Sequence, residues 1–531
     1  MGRNHWAPSS NRREAADMGR TEAPVTVKGY LMCVFAAFGG ILFGYDSGYI
    51  NGVLGMNYFK QEFGHVAYNG YLYYTWEKSL ITAILSAGTF FGALCAGTIA
   101  DRIGRRTTII VGCGVFSIGV ALQIASTAVG LLVAGRLVAG IGVGFVSAVI
   151  ILYMSEIAPK GVRGAIVSGY QFCITIGLLL AAVVDQSTKD MMGPGSYRIP
   201  MAIQFVWAFI LAVGLFFLPE SPRYYVRKNK LVEAQDALCK LRNRSSESLS
   251  IREELAELVA NYAYETEIVR GSWMDCFRGG LTKGNSNLRR VVLGMALQMM
   301  QQWTGVNFVF YYGTTFFKQV GIHNEFLISM VTTAVNVAST PISFWTVEKL
   351  GRRTLLIYGA VGMAVCEFII AIVGTVKEGS AAAGYCLIIF TCFYIFFFAS
   401  TWGPAAWVVI GEVFPLPIRA KGVALSTASN WFWNFVIGLI TPYMVDAEYG
   451  NLKARVFFVW GTTCTLCVLF AWALVPETKG LSLEQVDRML EEVTPRQSAK
   501  WYPKQTFADR QAIGQAAKAL HSTEKHEDVI V

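Results

Sequence analysis

The amino-acid sequence predicts an all-α integral membrane protein. We expect twelve transmembrane helices, arranged as two pseudo-symmetric six-helix bundles with a cytoplasmic helical linker between them. Two observations predict this fold class. Of the 531 residues, 54% are hydrophobic and only 15% are charged, which is too few charges to cover the surfaces of several soluble domains. Short sequence signatures also recur once in each half of the chain.

The apolar residues form stretches of about twenty, which is the helix length that a bilayer core of about 30 Å requires. The stretches separate the charged segments and divide into two groups of six. The expected spans are residues 30–52, 79–100, 107–127, 130–154, 165–184, 200–218, 290–317, 326–347, 354–375, 385–410, 421–443 and 455–475. The resulting regions are an N-terminal segment (1–28), a first bundle (29–218), a linker (219–289), a second bundle (290–475) and a C-terminal tail (476–531).

The distribution of basic residues predicts the orientation of the chain. Most of the 45 Lys and Arg residues fall in segments on the same side of the membrane as the two termini. The positive-inside rule therefore predicts that both termini are cytoplasmic. The net charge of +9 reflects this topology and gives no support to nucleic-acid binding. We find no nucleophile–base constellation, metal-ligand cluster or phosphate-cradling glycine loop. We therefore expect that the protein is not an enzyme and that it binds no cofactor.

The recurring signatures indicate an internal duplication. The segment 101–106 returns as 348–353, 247 residues later, and each copy ends in Gly-Arg-Arg. Two further signatures repeat in register; they are Glu156, Pro159 and Arg163 with Glu412, Pro415 and Arg419, and Pro219-Glu220 with Pro476-Glu477. One large class of secondary transporters is built from two such halves, and it binds substrate between them near the membrane midplane.

Three ionisable residues fall inside the predicted spans: Asp46, Arg136 and Glu367. Such residues are rare in membranes because each costs about 2.5–3.5 kcal/mol at the centre of the bilayer. At a rise of about 1.5 Å per residue, Asp46 and Arg136 lie at matching depths. A carboxylate beside a cation could bind and release a coupling proton, or the two could form a permanent ion pair. Glu367 has no evident partner. Its role could be a packing contact between helices or a second proton site.

Span 1 carries glycines at every fourth position, which allows close packing against another helix. These glycines are Gly40, Gly44, Gly48 and Gly52.

Span 7 is unusually polar, and its amide side chains both donate and accept hydrogen bonds, as a hydroxyl-rich ligand requires. Its polar and aromatic residues are Gln301, Gln302, Asn307, Tyr311 and Tyr312. Gln301 and Asn307 would diverge by about 120° on an ideal helix, so we expect a break at Gly305. Further candidates in other spans are Gln171, Asn336, Trp407 and Asn430. Any single amide among these could simply form a hydrogen bond with a neighbouring helix. The whole set, together with Trp407 as an aromatic surface for stacking, favours a carbohydrate site.

With these motifs, the chain resembles sugar porters of the major facilitator superfamily over about residues 28–485. The motifs are GRLVAGIGVG, YMSEIAPKGVRG, PESPR, QQWTGVN and PETKG. GGILFGYDSGYINGV and STWGPAAWVVIGEVF are most similar to fungal hexose transporters. The sequence departs from the animal facilitators in having Ala399 where they carry a Glu in span 10.

The resemblance implies roles for particular residues. The implied sugar site consists of Phe43, Gln171, Gln301, Gln302, Asn307, Asn336, Trp407 and Asn430. Tyr311 and Tyr312 are implied as outer gating residues, and Asp46 and Arg136 as the proton-coupling pair. The implied cytoplasmic salt-bridge network consists of Arg105, Arg106, Glu156, Arg163, Glu220, Arg352, Arg353, Glu412, Arg419 and Glu477. It would hold the inner gate shut in the outward-facing state.

The function that we expect is uptake of a monosaccharide, a hexose such as glucose, by alternating access at the plasma membrane. Sugar/proton symport is the first hypothesis, facilitated uniport is the second, and non-transporting sugar sensing is the third. Sensors of that kind tend to have long C-terminal tails, whereas about 50 residues follow the last motif here. The expected partners are the monosaccharide, a proton and the lipid bilayer. Lys504, Lys518 and Lys525 are either acceptors for the ubiquitination machinery or simply solvated charges.

Overall fold

The computed structural model describes residues 27–67, 70–159, 162–268, 272–281, 286–319, 325–377, 380–445 and 449–502. Across these residues the chain is helical apart from turns, short connections and one two-stranded sheet. Ten of the described helices are long and apolar enough to cross a membrane. The fold class predicted from the sequence is therefore confirmed, and the two predicted spans outside this count prove to be interrupted helices.

The first half contains six of the ten long apolar helices, in the order that the sequence predicts. The first is bent at Phe38, where one helical segment passes directly into the next. The helices of this half are α1 (Val27–Ala37), α2 (Gly39–Gly55), a short α3 (Asn57–Phe63), α4 (Thr75–Ile103), α5 (Arg105–Ile124), α6 (Val129–Ile157), α7 (Arg163–Thr188) and α8 (Gly195–Phe216).

The described part of the linker contains three helices. Its helices are α9 (Pro222–Arg227), α10 (Leu231–Arg242) and α11 (Leu249–Ile268). The first of them begins with Pro222 at N1, and the Ser221 hydroxyl accepts a hydrogen bond from the backbone N–H of Tyr224 (3.4 Å). A 3₁₀ turn, Met274–Phe277, then leads into the second half.

The second half contains the other four long apolar helices and the two interrupted ones. Predicted spans 7 and 8 each form a pair of shorter helices. The helices of this half are α12 (Asn287–Gln302), α13 (Val306–Gln319), α14 (Glu325–Ser339), α15 (Ile342–Leu350), α16 (Arg352–Val376), α17 (Ala381–Phe397), α18 (Gly403–Glu412), α19 (Arg419–Val445) and α20 (Val456–Leu474), followed by α21 (Leu483–Glu492).

The break between α14 and α15 differs from the continuous span that we expected over 326–347. The chain turns at Thr340 and Pro341, and the Thr340 N–H donates the last helical bond, to the carbonyl of Asn336 (3.1 Å). Proline has no N–H, and its ring displaces the carbonyl four residues earlier, so the first helix ends before it.

Predicted span 10 is also irregular, because a π-helical turn, Phe398–Trp402, joins α17 to α18. The turn lies directly before Gly403 and Pro404 and is fully buried. Single π-turns inside α-helices often mark functional positions because they re-aim the side chains that follow.

The two ends of the bundle are distinct. At one end, which we call the motif face, lie the two Gly-Arg-Arg turns and the linker helices. At the other, the hairpin face, the connection between α3 and α4 forms an antiparallel hairpin of β1 (His65–Ala67) and β2 (Gly70–Leu72). These short strands were not predicted from the sequence.

The glycine stripe of span 1 packs on α7, as its spacing predicts. A Cβ atom placed on Gly40 or Gly44 would come closer than 3.0 Å to a backbone carbonyl oxygen of α7. At Gly48 it would meet the Cβ of Ala181, and at Gly52 it would meet the side chain of Asp185. The two backbones can therefore approach closely only because these positions lack side chains.

We predict that Gly44→Ala destabilises the protein by about 1–3 kcal/mol, because its new methyl group overlaps the backbone of α7 at Ile174. Gly114→Ala is the matched control: it also lies in a transmembrane helix, α5, but a Cβ there meets nothing within 4 Å. Thermal unfolding of the purified variants in detergent measures the difference. Equal melting temperatures for the two variants would contradict the close packing of α2 on α7.

Candidate functional site

The helix break in predicted span 7 lies at Trp303–Gly305, so the break that we expected at Gly305 is confirmed. Gly305 has φ = 83°, which residues with a side chain rarely adopt. A Cβ there would also lie 2.7 Å from Cγ of Trp460. The carbonyl groups freed by the break are satisfied by other helices: the hydroxyl of Thr463 donates to Trp303 O (2.6 Å) and that of Tyr394 to Thr304 O (2.7 Å).

Just before the break, Gln301 is fixed by a set of buried hydrogen bonds. Its amide nitrogen donates to the carbonyls of Trp402 (3.1 Å) and Gly403 (2.9 Å), at the end of the π-turn. Its amide oxygen accepts from Nδ2 of Asn430 (2.9 Å), which also donates to Oε1 of Gln298 (2.7 Å). The break in α12 and the π-turn thus meet at Gln301.

A second amide group joins the two halves of the protein. Oε1 of Gln302 accepts hydrogen bonds from Nδ2 of Asn307 and from Nδ2 of Asn434 (3.2 Å). Oδ1 of Asn434 in turn accepts from the hydroxyl of Ser86 on α4 (2.7 Å). The side chains of Gln302 and Asn307, which flank the break, are therefore in direct contact.

The sequence analysis missed Gln298, Asn434 and Ser86. Helical spacing could have revealed two of them. Gln298 lies three residues before Gln301, and Asn434 lies four residues after Asn430, so each shares a helix face with a predicted residue. Ser86 carries no such signal, because its partner lies 348 residues away.

Two aromatic contacts add to the boundary between the halves. Trp407 Nε1 donates to Oε1 of Gln171 across the boundary (3.2 Å), and its ring meets Tyr170 edge-on at 5.7 Å. Phe43 packs edge-on against Trp431, with ring centroids 4.8 Å apart. Phe43, Gln171 and Trp407, which were predicted, therefore lie at the boundary, together with Trp431 of α19, which was not.

Among the described residues, Asn336 is the one predicted amide whose side chain forms no hydrogen bond with another predicted site residue. Its side chain is 1% exposed, and neither its oxygen nor its nitrogen has a hydrogen-bond partner in the described structure. A buried amide in this condition retains its full capacity to bind a polar ligand.

Tyr311 and Tyr312 lie on α13, between the amides and the hairpin face. Tyr311 exchanges a hydrogen bond with the side chain of Asn434 (3.3 Å), and Tyr312 donates to the carbonyl of Gly438 (2.9 Å). Lys78 of the first half lies 5.6 Å from the centre of the Tyr312 ring. Both tyrosines therefore hold α13 against α19 at the boundary.

Asp46 and Arg136 are both buried but form no ion pair with each other in the described structure. Arg136 donates instead to the carbonyl of Ile81 (2.8 Å) and to the hydroxyl of Tyr49 (2.7 Å), which donates to Gln123 (2.5 Å). Neither carboxyl oxygen of Asp46 has a hydrogen-bond partner among the described residues. The alternative of a permanent ion pair is therefore wrong for this conformation.

Two more buried carboxyl groups lie within the helices. Glu367 is 1% exposed and lies beside the thiol of Cys464. Neither of its carboxyl oxygens has a hydrogen-bond partner among the described residues. Asp185 is 3% exposed and lies in the last turn of α7, which continues to Thr188 rather than ending near residue 184 as predicted. The sequence analysis consequently missed Asp185 as an ionisable residue within a span.

The motif face contains two copies of one ion-pair arrangement. In the first half, Arg105 binds Glu156 through Nε (3.0 Å) and Nη2 (3.1 Å), and Ser221 also donates to Glu156. In the second half, Arg352 binds Glu412 through Nε (3.2 Å) and Nη2 (2.9 Å). Thr478 takes the place of Ser221 there (2.7 Å). The repeated sequence motifs thus build the same buried contacts twice.

Glu220 and Glu477 are also equivalent, because each accepts backbone N–H groups at the start of a transmembrane helix. Glu220 binds the N–H of Arg105 (3.0 Å) and of Arg106 (3.1 Å). Glu477 binds those of Arg352 (2.9 Å) and Arg353 (3.2 Å). A carboxylate at a helix N-terminus stabilises otherwise unpaired donors. Burial raises the pKa of Glu220, although these donors and Arg105 oppose that effect.

The side chains of Arg106 and Arg353 are also equivalent, because each donates to a carbonyl near the end of another helix of its half. Arg106 binds the carbonyl of Leu218 (2.9 Å), and Arg353 binds that of Trp472 (2.5 Å). Arg163 reaches the carbonyl of Leu481 in the other half (3.5 Å), and Arg419 donates to that of Phe414 (2.9 Å).

Other contacts join the two halves directly at the motif face. Lys421 on α19 forms an ion pair with Asp101 on α4 (2.8 Å), and Arg227 of the linker binds the same carboxylate. Glu348 accepts the backbone N–H of Ala165 at the start of α7 (3.2 Å). The halves are therefore in contact at the motif face in this structure.

Two repeated helical halves with a buried amide and aromatic cluster between them define a membrane transporter. The chain belongs to the sugar transporter family, because the family model described as "Sugar (and other) transporter" matches residues 32–490. It is thus a multi-pass membrane protein and not an enzyme.

Curated relatives are similar over most of the chain. The major facilitator-type transporter ecdD of Aspergillus rugulosus is 46% identical over 93% of this chain and 92% of its own length. A probable glucose transporter of Neurospora crassa, rco-3, is 45% identical over 91% and 82%. The high glucose sensor RGT2 of Saccharomyces cerevisiae is 43% identical over 90% of this chain but 63% of its own length.

The solved structures agree with the family. The proton:xylose symporter XylE, bound to 6-bromo-6-deoxy-D-glucose, superposes with a TM-score of 0.75 at 26% identity. The match covers 87% of this chain and 98% of that one.

We predict that Glu412→Gln destabilises the protein by about 3 kcal/mol, because it removes the buried counter-charge of the Arg352 guanidinium and leaves only the partly exposed Glu348 to pair with it. Glu254→Gln is the matched control, since Glu254 also binds an arginine, Arg242, through both oxygens but is one-third exposed. We expect that control to cost about 0.2–1 kcal/mol. Thermal unfolding in detergent compares the two, and equal losses would contradict a structural role for the buried pair.

Proposed function

We propose that this protein transports a monosaccharide, a hexose such as glucose, across the plasma membrane by alternating access, together with a proton. The observation that carries the proposal is the amide cluster at the boundary between the halves. A sugar is neutral and carries hydroxyl groups on every side, and amides can donate to and accept from such groups. Trp407 supplies an aromatic surface beside them.

The proposed sugar site consists of the residues that line the boundary from both halves. Gln171 and Phe43 would contribute from the first half. Gln301, Gln302, Asn307, Asn336, Trp407 and Asn430 would contribute from the second. Relatives that are named after a substrate support a sugar, since their names refer to glucose or xylose.

Alternating access is supported by the repeated construction of the motif face. The proposed moving bodies are residues 29–218 and 290–475, linked by residues 219–289. Each body carries its own Arg–Glu pair, and the carboxylate that caps its repeated turn, Glu220 or Glu477, directly follows its last helix, so each body can move without breaking these contacts. The bonds between the bodies, such as Lys421 with Asp101, are the ones that opening of this face would break. Tyr311 and Tyr312 are the proposed gate towards the hairpin face.

Coupling to a proton is supported by the surroundings of Asp46. The carboxyl group is buried without a partner, whereas Arg136, on the neighbouring α6, is engaged with Tyr49 and Ile81. An unpaired ionised carboxylate is costly at such a position, so Asp46 is expected to carry a proton in the conformation of this structure. The solved structure with the same fold is named a proton:xylose symporter.

The orientation that we propose puts the motif face and both termini in the cytoplasm and the hairpin face outside. The lysines proposed as ubiquitin acceptors, Lys504, Lys518 and Lys525, lie outside the described residues. Facilitated uniport is the alternative mechanism on the same scaffold. Sugar sensing without transport is a second candidate function, which the 43% identity with a glucose sensor favours.

We predict that Trp407→Phe weakens glucose binding by roughly 5- to 30-fold, because it removes the N–H that links Trp407 to Gln171 while keeping an aromatic ring. Trp273→Phe is the control: Trp273 lies in the linker and also donates one bond from its ring nitrogen, to the hydroxyl of Thr98 on α4 (3.0 Å). We expect its effect on binding to be less than about twofold. Equilibrium binding of labelled glucose to purified protein measures both, and an equal loss would argue against a site at Trp407.

We predict that Asp46→Asn abolishes accumulation of labelled glucose against its gradient, while exchange and binding of glucose persist. The amide keeps the size of the side chain but cannot bind and release a proton. Glu367→Gln, which alters another buried carboxyl group, should keep accumulation. The measurement is uptake into proteoliposomes with and without an imposed proton gradient. Wild-type protein that equilibrates glucose equally in both conditions would be a uniporter, and binding without uptake would identify a sensor.

A further inference from the structure

Asp185 is a buried carboxyl group that the proposed mechanism does not use. It lies in the last turn of α7, near the hairpin face, and its side chain is 3% exposed. Its Oδ1 atom has no hydrogen-bond partner, and the residue forms no ion pair with any residue that the structure describes.

The carboxyl group packs directly against the backbone of α2. A Cβ atom at Gly52 would come closer than 3.0 Å to Oδ2, Cγ and Cβ of Asp185, so only glycine leaves room for it. The preceding residue on the helix, Asn51, donates from Nδ2 to the carbonyl of Phe310 on α13 (3.1 Å). Asp185 thus lies beside a contact that closes the two halves at the hairpin face.

The charged and titratable groups on the neighbouring helices do not pair with Asp185. On α2, the hydroxyl of Tyr45 donates to the carbonyl of Pro200 (3.0 Å) and that of Tyr49 to Gln123 (2.5 Å). On α8, Arg198 lies over the ring of Tyr197, 5.7 Å from its centre. Lys189 follows one turn later at the end of α7, and no ion pair joins it to Asp185. Ionised Asp185 would therefore be a buried charge without compensation.

We propose that Asp185 is a second proton-binding site, which holds a proton while the hairpin face is closed and releases it when that face opens to water. A neutral carboxylic acid fits the packing against Gly52, whereas an ionised one requires hydration. The site is separate from Asp46, which lies six residues, or about 9 Å, before Gly52 on α2. The link to opening rests on the proposed alternating-access function, whereas the protonated state of the closed structure does not.

The protonated state is tested by infrared spectroscopy of the purified protein at neutral pH. A carboxylic acid has a carbonyl stretch that an ionised carboxylate lacks. We expect Asp185→Asn to remove part of this band, and Asp190→Asn, at an exposed aspartate five residues later, to leave it unchanged. An unchanged band in folded Asp185→Asn would overturn the proposal. Folding is checked by the melting temperature of each variant, and the test requires no transport activity.

The link to opening is tested by glucose exchange across proteoliposomes that carry Asp46→Asn, which removes the first proposed proton site. Closing the hairpin face should still require a proton on Asp185, so exchange should slow as the pH on that side rises. Adding Asp185→Asn should abolish this residual pH dependence, whereas adding Asp190→Asn should preserve it. The same residual dependence with and without Asp185→Asn would overturn the link. If wild-type protein exchanges no glucose, the proposed function fails, and the infrared result stands by itself.

Discussion

The need to satisfy every backbone hydrogen bond inside a bilayer governs this structure. Hydrocarbon offers no alternative partner, so a transmembrane helix can be interrupted only where side chains of other helices replace the lost bonds. At Trp303–Gly305 the hydroxyls of Thr463 and Tyr394 do this, and Gln301 binds the carbonyls at the end of the π-turn. The interruptions of α12 and α17 therefore stabilise each other, and the amides proposed to bind sugar gather around them.

The same constraint explains why the two ends of the bundle differ. At the motif face, Glu220 and Glu477 cap the first N–H groups of α5 and α16, and buried arginine pairs hold these turns in place. Gly104 and Gly351 have φ of 97° and 92°, and a side chain on either would overlap the capping carboxylate. The repeated turn thus requires glycine at this position, and contacts within the same repeat stabilise it.

The buried carboxyl groups of the described transmembrane helices that take no part in ion pairs are distributed unequally. Asp46 and Asp185 lie in the first half and Glu367 in the second, and none of the three forms an ion pair among the described residues. The amides lie mostly in the second half. A symmetric scaffold therefore carries an asymmetric chemistry, in which binding of a proton and binding of a sugar can be coupled through the movement of one half against the other.

The sequence alone determined the membrane fold, the duplication, the glycine seam of α2 and the break at Gly305, because each depends on local residue types at fixed spacings. Only the tertiary structure decided which polar groups pair. Arg136 and Asp46 have matching depths in the sequence, yet the arginine binds Tyr49 and Ile81. Asn434 joins Gln302 to Ser86, although Ser86 and Asn434 are 348 residues apart in the sequence. Asp185 is buried because α7 extends one turn further than its hydropathy indicates. Pairings of this kind depend on how helices rotate and approach one another, and helical periodicity in a single chain does not specify that geometry.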